Sequence, residues 1–317
     1  MLRIPFILLP ILVLAGACTA QNRDAQFGQL ADRYFDEAAF RFDPVEATAA
    51  GFHQYDGLLP SVSNSEIQAE IAVLRNFERE VTGFDARGLS PTAAADRELL
   101  LAQIRGQLLT LETIRPWEKD PDVYSSGATN AIYVIMSRSF APPAERLKSA
   151  IARERLIPRV FQSARENLAN PPRIYTEIAL EQLPGIVNFF RNDVPAAFKA
   201  VTDARLMGEF RQANQGVIDA LSAYQAWLKS DLLARSKGDF RIGAENYRAK
   251  LLYDEMVDTP LDRLLEIGNQ DLRRNQAEFK RVAALIDSKR APSEVLESLE
   301  HDHPPAGARH PHPREFS

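Results

Sequence analysis

Apolar residues recur every three or four positions along most of this chain. Ile67, Ile71, Leu74, Phe77 and Val81 form one stripe, and Leu101, Ile104, Leu108 and Leu111 form another. Phe27, Leu30 and Tyr34 open the series; Leu261, Leu264, Leu265, Ile267 and Leu272 continue it late in the chain. Such spacing lines up one face of an amphipathic helix. The punctuation agrees. Asp43-Pro44-Val45-Glu46, Ser90-Pro91 and Thr259-Pro260-Leu261-Asp262 each set a capping side chain before a proline at the first helical position. A proline loses nothing there, because its missing N–H would have had no partner. Gly51 and Gly83 stand where helices are expected to stop, and Pro158 and Pro184 are expected to kink or break theirs. The β-branched run Asn130 to Met136 fits a strand and a buried helix equally well. With no alternation of strand and helix patterns, the reading is an all-α domain of about ten helices over residues 27–300.

The two ends differ from this body. "MLRIPFILLPILVLAGACTA" begins with Arg3 and an apolar run from Ile4 to Leu14. It has the order of an export signal, and it falls short of the roughly 20 apolar residues of a membrane span. Ala15-Gly16-Ala17-Cys18 follows. It reads as a lipoprotein signal over residues 1–17, with Cys18 acylated as the mature N-terminus and residues 18–26 as a tether. The alternative is an ordinary signal cleaved after Ala17. Thr19 after the cysteine agrees with outer-membrane sorting in a two-membrane cell, so the expected partner is a membrane, at the periplasmic face of the envelope. At the other end, "HDHPPAGARHPHPREFS" (residues 301–317) is rich in proline and nearly free of apolar residues, so a disordered tail is expected.

Composition and motifs narrow the chemistry. The formal net charge is -5, and no Lys/Arg-rich run offers a nucleic-acid surface. Cys18 is the only cysteine, which leaves no internal disulfide and no thiolate zinc site. None of the 15 glycines forms the G-x-G of a dinucleotide-binding turn, and no serine lies in G-x-S-x-G. His53, in "GFHQYDG", reads as a packing or turn residue. Glu177 and Glu181, four apart, read as a solvated helix face rather than an acid–base pair. Trp117 and Trp227 read as core. His301, His303, His310 and His312 have metal-ligand spacing, but a proline-broken tail does not hold zinc geometry.

Three stretches carry a resemblance: "FDPVEATAAGFHQYDG" (Phe42 to Gly57), "APPAERLKSAIARERLIPRVFQSARENLANPP" (Ala141 to Pro172) and "IGAENYRAKLLYDEMVDTPLDRLLEIGNQDLRR" (Ile242 to Arg274). They resemble the N-terminal half of the bacterial domain of unknown function 885 family. The resemblance implies an exported, largely helical protein of about twice this length, a zinc metallopeptidase of the gluzincin type. In such proteins an H-E-x-x-H helix in the C-terminal half binds the metal, with its Glu activating water.

No histidine here is followed by Glu, so no catalytic residue, metal ligand or cofactor carries over. The tail follows the family to about Ala306 and then departs, as a truncated or shifted-frame ending would. The resulting expectation is an exported, lipid-anchored peptidase-like fragment, inactive alone, with peptide substrates only in full-length relatives. The alternative is an envelope-anchored helical binding or scaffold module with no enzymatic role.

Overall fold

The structure, a computed structural model, describes residues 23–300. The leader with Cys18 and the tail with its four histidines lie outside the described residues.

Helices account for nearly all regular structure. In chain order they are α1 (residues 23–34), α2 (Phe40–Phe42), α3 (Pro44–Ala49), α4 (Asn64–Gly83), α5 (Pro91–Leu108), α6 (Pro116–Lys119), α7 (Asp122–Ser137) and α8 (Pro143–Glu154). Then come α9 (Ile157–Asn167), α10 (Arg173–Asn188), α11 (Val194–Ala197), α12 (Ala204–Trp227), α13 (Leu233–Arg235), α14 (Ala244–Glu255), α15 (Leu261–Ile286) and α16 (Pro292–Glu300). Among the described residues the only β pairing is an isolated bridge between Pro172 and Gly238. The all-α expectation is met, and the ambiguous run Asn130 to Met136 is helix, the buried middle of α7.

Two of the three Pro-marked starts behave as read. The Asp43 carboxylate accepts from the N–H groups of Val45 (3.1 Å) and Glu46 (2.9 Å), and Ser90 Oγ accepts from Ala93 N–H at 3.2 Å. The third does not. Pro260 occupies the cap position itself, with φ -54° and ψ 139°, and α15 starts at Leu261 without a side-chain cap. Pro158 opens α9 and so separates it from α8. Pro184 lies inside α10, which runs on to Asn188 before a π-helical segment, Phe189–Asp193. The helix loses one hydrogen bond at Pro184, and burial of Ala179 and Leu183 holds it in place. Gly51 follows α3 with φ 95°, the left-handed stop that glycine allows. Gly83 is the last residue of α4.

The chain divides into two compact units at Val257/Asp258. The first has two cores. In one, Phe27, Leu30 and Tyr34 of α1 meet Leu74, Phe77 and Val81 of α4 and Leu101, Ile104 and Leu108 of α5. In the other, α7, α8, α9, α10 and α12 enclose residues such as Ile132, Ile135, Leu147, Phe161, Val217 and Tyr224. Each fully buried Leu, Ile or Phe contributes about 1.5–3 kcal/mol, and the first three sequence stripes supply one of these cores almost whole. Arg153, with no exposed surface, pins the N-terminal turns to the larger core. Its guanidinium donates to the carbonyls of Ala131 (2.7 Å), Pro44 (3.1 Å) and Tyr55 (3.4 Å) and to Thr48 Oγ1 (2.6 Å).

The second unit, from Asp258, contains α15 and α16, which pack together with Ala283 and Val295 buried. The stripe forms a helix, as read, but its face is uncovered: Leu265, Ile267 and Leu272 are 66%, 45% and 54% exposed. Apolar periodicity specifies a face, not what covers it.

Candidate functional site

Two hollows of the first unit run along α5. One, about 620 Å³, lies between Glu70 of α4, the Gln103 to Gln107 turn of α5, and Tyr253 and Asp254 of α14. A second, about 600 Å³, lies between α1 and the first half of α5. Leu99 and Gln103 line both, so the two hollows adjoin along the helix and are treated together as its groove.

Local sequence explains how the walls meet. Gly106 sits mid-helix, where it costs about 1 kcal/mol relative to Ala. A Cβ there would fall 2.8 Å from Asp254 Oδ1, which would have to turn aside, and 3.5 Å from Tyr253 Cβ, so the glycine leaves room for the Asp254 carboxylate against α5. Met256, left-handed at φ 54°, ends α14 and turns into the groove lining. Two π-helical segments, Phe35–Ala39 after α1 and Leu109–Ile114 after α5, place Phe35, Thr110 and Leu111 on the walls. Such segments, uncommon elsewhere, recur at functional sites.

The polar groups converge on Glu70. Its carboxyl is half-buried, and burial, reinforced by the charge of Asp43, pushes its pKa up to about 7. It makes no hydrogen bond or ion pair among the described residues. Tyr34 Oη donates to Gln107 Oε1 at 3.0 Å, which fixes the Gln107 amide on the wall. Burial, with the charge of Glu70, raises the Tyr34 pKa to about 12, so its proton stays on. Asp254 pairs with Lys250. The ionisable residues lining the two hollows are Glu70 and Asp254 in one and Asp24 and Asp96 in the other, all acidic apart from the Tyr253 phenol. A half-buried carboxyl that titrates near neutrality can accept a proton or hold a cation.

The residues singled out in the sequence lie elsewhere. His53 stands in a one-turn 3₁₀ helix, its ring stacked on Phe140 at 4.0 Å and its Nδ1 3.3 Å from Asp56. It is a packing and turn residue, as read. Glu177 and Glu181 are both exposed, and Glu177 pairs with Arg173 at 2.8 Å. Trp117 is buried, donating to Leu111 O at 2.9 Å. Trp227 packs against the larger core with Arg165 and Arg235 over its ring. Glu70, Gln103, Gln107 and Asp254 do not stand out in the sequence, because they look like ordinary polar helix positions. The one available signal was Gly106 inside a leucine-rich stripe.

A zinc ion does not fit the described donor set. Among the described residues no group of three or more His, Cys, Asp or Glu side chains could hold a metal, and His53 is engaged by Asp56 and Phe140.

Fold and groove together define an all-helical, groove-bearing module. The chain belongs to the family described as bacterial protein of unknown function (DUF885), whose model matches residues 44–311. A search of curated proteins found no match. Among solved structures it is similar to a protein from Shewanella oneidensis described as "a putative lipoprotein of unknown function", at 22% identity and a TM-score of 0.68. That similarity covers 86% of this chain and 52% of the other, so this chain spans about half the length of that relative.

Proposed function

We propose that this chain is the exported, lipid-tethered helical module of a peptidase-like protein, that its α5 groove holds a polypeptide segment, and that it does not hydrolyse peptides by itself. The observation that carries the binding role is the groove. It combines apolar walls, one amide held in place and a half-buried carboxyl with no partner among the described residues, the apolar lining with a few placed polar groups that ligand sites share. With carboxylates as the only charged side chains on its walls among the described residues, it favours a segment bearing a basic side chain. The peptidase-like reading rests on the family resemblance, whose zinc motif has no counterpart in this sequence.

Fluorescein-labelled casein peptides, followed by anisotropy, test the binding role. Gln103→Trp fills the groove and is expected to weaken binding at least tenfold. Affinity for Arg-containing peptides is expected to rise between pH 6 and pH 8 as Glu70 ionises, and Glu70→Gln should abolish that rise. Equal binding by Gln103→Trp refutes the assignment.

The tether rests on Arg3, the apolar run and Ala15-Gly16-Ala17-Cys18, and on the description of the Shewanella relative. Among the described residues no helix is long and apolar enough to cross a membrane, so in this reading attachment falls to the leader. Cys18→Ala is expected to move the protein from the membrane fraction to the soluble exported fraction. A wild-type protein found soluble with Met1 retained contradicts both export and tether.

A further inference from the structure

Away from α5, another hollow of the first unit, about 170 Å³, lies between α3, the segment 59–62, α7 and α9. Its depth is apolar: Val45, Trp117, Tyr124 and Val160 line it and are buried. Its two charged lining residues, Asp43 and Glu46, are both carboxylates and both exposed, at the mouth. We propose that this hollow binds a small arylalkyl ammonium, a single aromatic ring carrying a protonated amine on a short tail. The site shares no lining residue with the α5 groove and does not depend on that reading.

The walls are set before a ligand arrives. Asn167, buried, donates to Val62 O at 2.8 Å and to Tyr124 Oη at 3.1 Å, which ties the segment 59–62 to α7. Tyr124 Oη donates to Trp117 O, and Trp117 Nε1 donates to Leu111 O at 2.9 Å. With their polar atoms already paired, the two aromatic side chains offer carbon to the hollow, which suits another ring. The size agrees, since a cavity of about 150 Å³ accepts benzene. Gly127 lies inside α7 and lines the hollow. Glycine in a helix interior is unfavourable relative to alanine, and a Cβ on Gly127 would meet nothing within 4 Å. The chain's own packing does not call for this glycine, and what it leaves is space.

Charge selects the other end of the ligand. Asp43 Oδ1 is committed to the N–H groups of Val45 and Glu46, whereas the Glu46 carboxylate has no hydrogen bond or ion pair among the described residues. Two carboxylates one helical turn apart, with no Lys, Arg or His among the described lining residues, favour a cation beside the ring. Arg115, over the Trp117 ring at 4.9 Å, is itself paired with Glu118. Room for one ring makes the ligand a small amine rather than a length of polypeptide.

Fluorine NMR of 4-fluorophenethylammonium with the purified chain bearing Cys18→Ala tests the site. Saturable line broadening is expected, with a Kd of about 1 mM, ordinary for so few atoms. Gly127→Leu fills the hollow and is expected to weaken binding at least tenfold with unchanged helical circular dichroism. Glu46→Gln, an exposed change, should weaken binding of the ammonium at least threefold and leave that of the neutral 4-fluorophenethyl alcohol unaltered. Gln103→Trp, which fills the α5 groove, should change neither. Absence of saturable broadening overturns the proposal. So does full binding by Gly127→Leu, an equal effect of Glu46→Gln on ammonium and alcohol, or a loss in Gln103→Trp, which would put the probe in the α5 groove. Displacement of the probe by Phe-Gly-Gly more strongly than by unlabelled phenethylammonium also overturns it, because the ligand would then be a peptide terminus.

Discussion

Arg153→Ala is expected to destabilise the fold by about 4 kcal/mol, the range seen when a buried charge network loses its central partner. The guanidinium is buried, yet it stays charged at neutral pH: burial lowers its pKa only to about 10, because the charges of Asp56 and Asp43 oppose the shift. Removing it takes a donor from the carbonyls of Ala131, Pro44 and Tyr55 and from the Thr48 hydroxyl, although Thr48 Oγ1 still donates to Pro44 O at 3.1 Å; each buried group left unpaired costs ~1–3 kcal/mol. It also cuts α3 and the His53 to Tyr55 turn loose from α7. Against a typical total of about 5–15 kcal/mol, such a loss brings the chain close to unfolding at 37 °C. Arg153→Lys keeps the charge but not the planar fork that reaches several acceptors at once, so it should recover less than half. Urea titration followed by circular dichroism gives the values, and hydrogen exchange should show residues 44–56 opening first. A loss below about 1 kcal/mol for Arg153→Ala would show that water replaces these bonds, and the pinning role would fall.

Next to it, Glu154→Gln should stabilise the protein in a pH-dependent way. Glu154 has no exposed surface, and neither carboxyl oxygen has a hydrogen-bond partner among the described residues. Burial raises its pKa to about 9. The sign follows from linkage. Below pH 4.5 the group is protonated in both folded and unfolded chains and costs nothing differential. As pH rises, the unfolded chain ionises while the folded one stays protonated, so stability falls by about 1.4 kcal/mol per pH unit until the folded pKa is reached. At pH 7 the accumulated cost is on the order of 3 kcal/mol. Glutamine keeps the shape without the titration. Denaturant midpoints of the two proteins should nearly coincide at pH 4.5 and separate steadily to pH 9, with the variant the more stable. A constant offset across that range would mean that Glu154 is solvated or paired in the native state.

Some of this was readable before any fold was known. Asp43 and Ser90 announce their helices because capping is a contact within four residues. The stripes through Leu74 and Ile104 announce a core because burial of one helix face is written into a single repeat. Arg153 and Glu154 look alike as sequence, two charged residues near the end of an amphipathic helix. Only the packing of α8 among its neighbours makes one a hub of hydrogen bonds and the other a suppressed carboxyl. The groove was hidden for the same reason. Glu70, Gln107 and Asp254 lie on three helices separated by long stretches of chain, and no local rule connects them.

The helical class, most helix starts, the family and the apolar faces were all legible along the chain, because each depends on spacing within one element or on motifs in one stretch. Which of those faces are covered was settled by packing. It buried the α4 and α5 stripes, left that of α15 exposed, and opened a groove beside Gly106, where α14 packs on α5. Burial, charge coupling and cavities depend on distances between elements, and those distances exist only once the chain has folded.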